Sequence, residues 1–179
     1  MIREGQSLRQ ISRATGAKKT TIYYYMQKIR GGKSRVKPLK ISGPLENIGE
    51  FVGVFEGDGS FCKDALYHYS IRITLSLKEK EYAKKLKAMF ASTFGDAPYE
   101  YTQPKITSRV LRYQSKKMLG LLQSYLHWFK GDKTGTVRLH TINHPTSFCT
   151  GFLRGLFDTD GYRGKSKACF ATISYELAS

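Results

Sequence analysis

Residues 51–61 read FVGVFEGDGSF, and residues 153–163 read LRGLFDTDGYR. At an offset of 102 residues Gly53 matches Gly155, Asp58 matches Asp160, and an acidic residue stands two positions before each aspartate. An internal repeat indicates that the chain builds one structural unit twice. Because apolar residues recur at helical spacing and an Asp-Gly pair follows, the repeat predicts two equivalent helices that end at this pair.

Small residues mark one face of each predicted helix. They recur at a spacing of four: Gly53 and Gly57 in the first helix, Gly155 and Thr159 in the second. Small residues at this spacing allow two helix backbones to approach closely. We therefore expect the two helices to pack side by side through these residues.

Each predicted helix ends on an aspartate, where the helix dipole disfavours a carboxylate. Finding this arrangement twice indicates a bound cation, since a single Asp-Gly pair is a common turn and carries no such meaning. If the helices are parallel, Asp58 and Asp160 emerge at one end. Two carboxylates with water and phosphate oxygens are a suitable set of ligands for Mg²⁺.

The paired stretches resemble the two motifs of the LAGLIDADG homing endonucleases, with a resemblance that covers residues 45–179. It implies an α+β fold in which two similar αββαββα halves meet at the motif helices. It also implies that Asp58 and Asp160 bind Mg²⁺, or another divalent cation such as Mn²⁺, for the hydrolysis of DNA phosphodiester bonds. Both motifs depart from the consensus, because Glu56 and Asp158 precede the aspartates and because Gly57 and Thr159 replace alanine.

The charge of the chain predicts a polyanionic partner. The formal net charge is +16, and residues 1–40 contain 11 Lys or Arg against the single acid Glu4. Nucleic acid is the first candidate for such a balance, and a basic ribosomal protein is the alternative. The chain carries no secretory signal and no apolar stretch long enough to span a bilayer, and its three cysteines are widely spaced. We expect a protein of the cytoplasm or an organellar matrix that is neither secreted nor membrane-bound.

Residues 1–30 predict a helix-turn-helix. Ser7 is placed to cap a first helix, Gly16 to end it, and Thr20 or Thr21 to cap a second one. The pattern resembles the small modules of resolvases and archaeal regulators. That resemblance implies that the second helix reads DNA through residues at its start: Lys18, Lys19, Thr20, Thr21 and Tyr24. The alternative is a helical hairpin with a solvated basic face.

Residues 31–44 form a predicted basic linker, rich in glycine and without periodicity. Residues 45–145 then predict the order helix, two strands, helix, two strands, helix, which is the half-domain that the resemblance implies. Residues 146–179 begin a second half-domain that we expect to be incomplete. We expect a pseudo-symmetric monomer if the natural protein continues, or a partner chain if it does not.

Polar residues alternate with apolar ones along residues 68–75, which predicts a strand with one wet face. Such a face on an antiparallel sheet is suited to the DNA major groove, although an ordinary solvated face has the same pattern. The candidate contacts on the sheet are Arg72, Thr74, Arg109 and Arg112.

The resemblance implies a site-specific, metal-dependent endonuclease for double-stranded DNA, of the homing type that introns encode, and the net charge of +16 agrees with a nucleic-acid partner. Lys78, just past the second strand, is the expected basic catalytic residue, because the family often has a polar or basic residue there; a solvated lysine at a helix start is the alternative. Lys165 and Lys167 are weaker candidates in the second half. The alternative functions are a DNA-binding regulator without catalysis, an intron RNA maturase and a basic structural protein.

Overall fold

The computed structural model describes residues 7–29, 39–63, 69–103, 107–129, 133–140, 143–164, 167–172 and 174. The chain divides into two compact units, residues 1–37 and 38–179. Most of the predicted linker, Lys165 and the helix expected after residue 174 lie outside the described residues. No helix in the described ranges is both long and apolar enough to cross a membrane.

The first unit contains two short helices, α1 (Leu8–Thr15) and α2 (Lys19–Ile29). The Ser7 side chain accepts a hydrogen bond from the backbone N–H of Gln10, whose side chain bonds back to Ser7 in a capping box. Gly16 ends α1 in the left-handed region at φ 69°, a conformation that glycine adopts without strain. Because α2 already begins at Lys19, Thr20 and Thr21 lie in its first turn and are not its caps.

The second unit begins with the order that the sequence predicts. Its elements are α3 (Leu45–Asp58), β1 (Gly59–Lys63), β2 (Tyr69–Ser76), α4 (Lys80–Phe94), β3 (Tyr99–Gln103), β4 (Ser108–Gln114) and α5 (Lys116–Tyr125), followed by β5 (Leu126–His127), α6 (Lys133–Thr136), β6 (Arg138–Leu139), α7 (Thr146–Asp160), β7 (Gly161–Arg163) and β8 (Ala168–Phe170). The first seven elements give αββαββα, so the predicted α+β class and the predicted order of elements are confirmed. The start of a second copy follows as a motif helix and a hairpin.

Strands β1 to β4 form one antiparallel sheet in the order β1-β2-β4-β3. One face of the sheet is apolar, with Ile71, Ile73 and Leu75 of β2 buried beside Leu111 of β4. These residues belong to the same core as α3, where Phe51 is fully buried and its ring meets two α4 rings edge to face, Phe90 at 5.1 Å and Phe94 at 5.2 Å. The core therefore holds α3 firmly on one face of the sheet and leaves the other face open.

Candidate active site and nucleic-acid interface

Helices α3 and α7 pack backbone to backbone. A Cβ built at Gly53 would overlap the carbonyl oxygen of Phe152, and one at Gly155 would overlap the carbonyl oxygen of Glu50. No larger side chain fits at these two positions without separating the helices. The expected close approach of the motif helices therefore takes place at the glycines that the repeat contains.

The contact is longer than the motif predicts. Gly49 lies against the backbone of Phe148, and Gly151 lies against the backbone of Glu46, one helical turn before the predicted pair. The spacing of four continues through these two glycines, and this signal is already present in the sequence. At the other end, a Cβ at Gly57 would overlap the Thr159 hydroxyl. Because the contacts advance in the same direction along both helices, α3 and α7 are parallel.

Both helices end at the predicted aspartates. Asp58 is the last residue of α3 and Asp160 the last of α7, and each is followed by a glycine with extended backbone, φ −80° in both cases. A side chain at Gly59 or Gly161 would overlap the carbonyl oxygen four residues earlier. The glycines therefore let the chain leave the helix sharply into a strand, which leaves the carboxylates at the helix ends.

The two carboxylates share one environment. A carboxylate oxygen of Asp160 lies 3.1 Å from an ideal Cβ position on Gly57, the residue before Asp58. Burial, followed by the charges of Asp160 and Glu79, raises the pKa of Asp58 to about 6. Burial also raises the pKa of Asp160. Two acids held together against their own repulsion favour a bound cation.

Lys133 is the principal site residue that sequence analysis misses. This residue begins α6, and its ammonium group donates to the carbonyl oxygens of Phe55, Glu56 and Gly57 at 2.7, 2.5 and 3.4 Å. Burial lowers the pKa of Lys133 to about 8, although Glu56, Asp160 and Asp58 all act to raise it. The ammonium group thus lies at the negative end of the α3 dipole. Nothing in the local sequence distinguishes it from the other basic residues.

The acids that precede the aspartates are not equivalent. Glu56 is 5% exposed, and burial raises its pKa to about 7, with Lys133 lowering it and Asp160 raising it further. Its repeat counterpart Asp158 is exposed and lies 3.0 Å from the ammonium group of Lys85. The first motif therefore contributes its extra acid to the site interior, and the second contributes it to an ion pair on the flank.

Lys78 lies just past β2, where the sequence analysis places it. It is exposed in the turn after β2, where its backbone N–H bonds to Ser76. The charges that act most on the pKa of Asp58 are those of Asp160, Glu79 and Lys133. Lys167 is also exposed, in the turn between β7 and β8.

Asp58 and Asp160 fit a metal ion that is completed by other ligands. The described residues contain no group of three or more His, Cys, Asp and Glu side chains that could hold a metal. Mg²⁺ does not need such a cage, because it is usually held by one or two carboxylates together with water and substrate phosphate. The pair of like charges therefore suits a cation that binds together with a phosphodiester.

The open face of the sheet is basic. Arg72 of β2 is paired directly with Arg112 of β4, and Arg112 is also paired with Tyr99 of β3. Thr74 is exposed on the same face, opposite Val110. Residues opposite each other on antiparallel strands point to the same side. Three of the four predicted sheet contacts therefore share one face.

Arg109 is a correction to the sequence analysis. It is paired across the strands with Leu75, on the face that carries the core, and its guanidinium group lies 2.7 Å from Glu100. Side chains alternate along a strand, so residues three apart such as Arg109 and Arg112 point to opposite faces. Arg109 therefore belongs to the helix-covered face and its ion pair.

The residues predicted to contact DNA in the first unit are exposed. Lys18, Lys19, Thr20 and Thr21 are accessible at the start of α2, and Tyr24 is 64% exposed. Among the side chains of α1 and α2 that the structure describes, Ile11 and Ile22 are buried. The basic and aromatic side chains are therefore available to a ligand.

Comparison with known proteins agrees with this geometry. The family model of the LAGLIDADG-like domain matches residues 147–179. A structure from work on mesophilic variants of the homing endonuclease I-DmoI matches with 15% identity and a TM-score of 0.45, covering 67% of this chain and 61% of that chain. No curated protein sequence matches the chain. The model covers the second motif helix, α7, and the helix that carries the repeat of this motif, α3, is packed against it, so residues 147–179 are similar to a LAGLIDADG-like domain.

Proposed function

We propose that this protein is a divalent-metal-dependent endonuclease that cuts both strands of DNA at a specific site. The observation that carries the proposal is the convergence of Asp58 and Asp160 at the parallel ends of α3 and α7, beside the buried ammonium group of Lys133. Burial raises the pKa values of both carboxylates, the charge of Asp160 raises that of Asp58 further, and the charged forms therefore cost stability in the free protein. Such a cost is expected where the carboxylates have a ligand.

Asp58 and Asp160 would hold Mg²⁺ or Mn²⁺. When bound, such a cation lowers the pKa of its water and stabilises negative charge on phosphate oxygens. The two aspartates orient the site, since each is fixed at the end of a helix and followed by a glycine that turns the chain away. Glu56, with a pKa raised to about 7, lies beside them and can hold a proton near neutral pH.

Lys133 would provide the basic group of the reaction. Its pKa of about 8 lies close to the working range of an intracellular enzyme, which is where a general acid or base is most effective. The α3 carbonyl oxygens hold its ammonium group in one position. A fixed positive charge at this point can stabilise charge that develops on the phosphate.

The DNA would lie along the open face of the sheet. Arg72, Thr74 and Arg112 offer donors of the kind that pair with base edges and phosphates in the major groove. The first unit would add a second contact through the start of α2, acting as a helix-turn-helix module with Lys18, Lys19, Thr20, Thr21 and Tyr24. The net charge of +16 supports a nucleic-acid partner.

A second candidate function keeps the binding surface and omits the cutting. Among the described residues, one four-stranded sheet is present, and α7 is followed by the short hairpin of β7 and β8. A single sheet is enough for a DNA-binding regulator or an intron RNA maturase. The paired acids argue against this candidate, because a protein that only binds DNA gains nothing from carboxylates near the phosphates.

The test is cleavage of a DNA library with random sequence, with sequencing of the ends that are produced. We expect the wild type to make double-strand cuts at one sequence with Mg²⁺ and none with EDTA. Asp58→Asn and Asp160→Asn should bind the selected DNA without cutting it. Glu81→Gln, which removes an exposed acid paired with Lys84 on α4, is the matched control and should cut normally. A wild type that binds the selected DNA without cutting it in Mg²⁺ or Mn²⁺ would favour the second candidate, and tighter binding to structured RNA would favour the maturase.

A further inference from the structure

Along much of their line of closest contact, α3 and α7 meet through backbone atoms. Gly49, Gly53 and Gly155 meet backbone atoms of the opposite helix. Such a smooth contact brings the helices close but does little to oppose rotation or sliding, because register is normally set by side chains that fit between others. The position of Asp160 relative to Asp58 depends on both movements. Contacts beside this line of glycines therefore help to fix the register.

An ion bridge on the flank of the interface provides such contacts. The carboxylate of Glu50, on α3, belongs to a side chain only 4% exposed, and its two oxygens lie within ion-pair distance of different cations. One oxygen lies 2.8 Å from the ammonium group of Lys85 on α4, and the other lies 3.3 Å from the guanidinium group of Arg154 on α7. A buried carboxylate strongly requires such partners, because an unpaired charge is costly in the interior.

The same two cations also bind acids at the rim of the interface. Lys85 lies 3.0 Å from Asp158 of α7, and Arg154 lies 2.5 Å from Glu46 of α3. Helix α7 is therefore tied at two points on one flank, Arg154 and Asp158, which are four residues apart and lie one above the other. Asp160 follows Asp158 by two residues, so a rotation of α7 that breaks the bridge also displaces Asp160.

The bridge does not follow the internal repeat. At the offset of 102, Glu50 corresponds to Phe152 and Arg154 corresponds to Val52. The glycines occur in both helices, but these charges occur only once. The bridge therefore forms only when α3 packs against α7. Two copies of α3 packed together would contain two Glu50 carboxylates and no counterpart of Arg154. The charges select one pairing of two otherwise similar helices.

We propose that Glu50, Lys85 and Arg154 form a register lock that fixes α7 on α3, and that they are positioning residues for Asp160. The expected effect on catalysis rests on the proposed function. The expected effect on the position of α7 rests on the packing alone. The lock explains why a buried acid is kept in the middle of α3. It also assigns a role to Lys85, which lies on a helix outside the motif pair.

The first test measures cleavage under single turnover at saturating DNA. Lys85→Met keeps the aliphatic stem and removes the charge, and a misplacement of about 1 Å can cost about 100-fold in rate, so we expect a loss of at least about 10-fold with little change in DNA affinity. Lys85→Arg should restore most of the rate. Asp158→Asn leaves both cations on Glu50 and should give a smaller loss in the same direction. Lys84→Met, which removes the neighbouring exposed lysine, should have no effect.

The second test does not depend on activity. Hydrogen exchange in peptides that cover residues 154–160 should be at least about 10-fold faster in Lys85→Met than in the wild type, because local opening of α7 becomes easier. If the wild type cuts no DNA, the proposed function fails and the exchange rates alone decide the inference. Three results would overturn it: unchanged exchange in both Lys85→Met and Asp158→Asn, a rate loss equal to that of Lys84→Met, or a loss of DNA affinity in place of a loss of rate.

Discussion

Arg72 and Arg112 lie directly opposite each other on the neighbouring antiparallel strands β2 and β4. The Nε atom of each is buried and has no hydrogen-bond partner among the described residues. Like charges in directly opposed positions destabilise a sheet. The protein therefore keeps an unfavourable pair of cations on its open face, which is expected of a surface whose ligand is a polyanion.

Substitution of either arginine should make the protein more stable and weaken its binding to DNA. Arg72→Gln or Arg112→Gln should raise the free energy of unfolding by a few tenths of a kcal/mol, up to about 1 kcal/mol, because the repulsion is removed. The same variants should weaken DNA binding by about 10-fold and reduce its salt dependence. Urea denaturation and DNA titration at several salt concentrations measure the two effects.

Arg109→Gln is the matched control for these variants, because Arg109 lies on the opposite face and is paired with Glu100. It should lower stability and leave the DNA affinity within about two-fold of the wild type. Equal losses of affinity in all three variants would indicate a general effect of charge and would contradict binding at the open face.

Lys133 and Lys78 should differ in their importance for catalysis. Lys133→Met removes the cation that three α3 carbonyl oxygens hold beside the carboxylates, and we expect a loss of about 100-fold or more in the cleavage rate. Lys78→Met removes an exposed lysine and should change the rate by no more than about three-fold. Single-turnover rates at saturating DNA and metal are the measurement. A larger loss of rate in Lys78→Met would contradict this expectation and would support Lys78 as the basic catalytic residue.

Asp58→Asn should stabilise the metal-free protein at neutral pH. The folded protein raises the pKa of Asp58 from 3.8 to about 6, so it favours the protonated form and loses stability as the pH rises through this range. A shift of about two pKa units corresponds to at most about 3 kcal/mol, which solvent screening of this half-exposed group reduces to about 1 kcal/mol.

The free energy of unfolding of Asp58→Asn should therefore exceed that of the wild type by about 1 kcal/mol at about pH 8. The two should be equal at about pH 3, where Asp58 of the wild type is protonated in both the folded and the unfolded state. Denaturation in EDTA at both pH values is the measurement. Addition of Mg²⁺ should stabilise the wild type and not the variant, since only a ligand of the folded state has this effect. An equal gain in stability at both pH values would show that the charge of the Asp58 carboxylate does not cause the difference.

The motif glycines should tolerate no side chain. Gly53→Ala forces a methyl group against the Phe152 carbonyl oxygen and should cost about 1–3 kcal/mol in unfolding free energy. Gly120, within α5, is the control, because no heavy atom beyond its chain neighbours and the nearby backbone of its own helix lies within 4 Å of its ideal Cβ position. Gly120→Ala should gain about 0.5–1 kcal/mol through helix propensity. Thermal unfolding of both variants compares them, and equal changes would contradict the close contact of α3 and α7.

The elements of the fold were predictable because their signals are local. Spacing of four and a terminal Asp-Gly define α3 and α7, and period-two alternation defines β2, so the αββαββα order follows from periodicity. The face of Arg109 was also predictable, since it stands three residues from Arg112. Helix α5 ends at Tyr125, because residues 126–127 leave the helix to pair with β6. That pairing is a tertiary contact.

The sequence by itself determined that two equivalent helices present Asp58 and Asp160, because a repeat of a helix face and its ending residue needs no partner to be recognised. Only the tertiary structure brought Lys133, 75 residues after Asp58, onto the end of α3 and joined Lys85 to Glu50. These relationships depend on desolvation and on distances of a few ångströms between distant segments. Local periodicity contains no information about either quantity, so the fold decided which charges share the site.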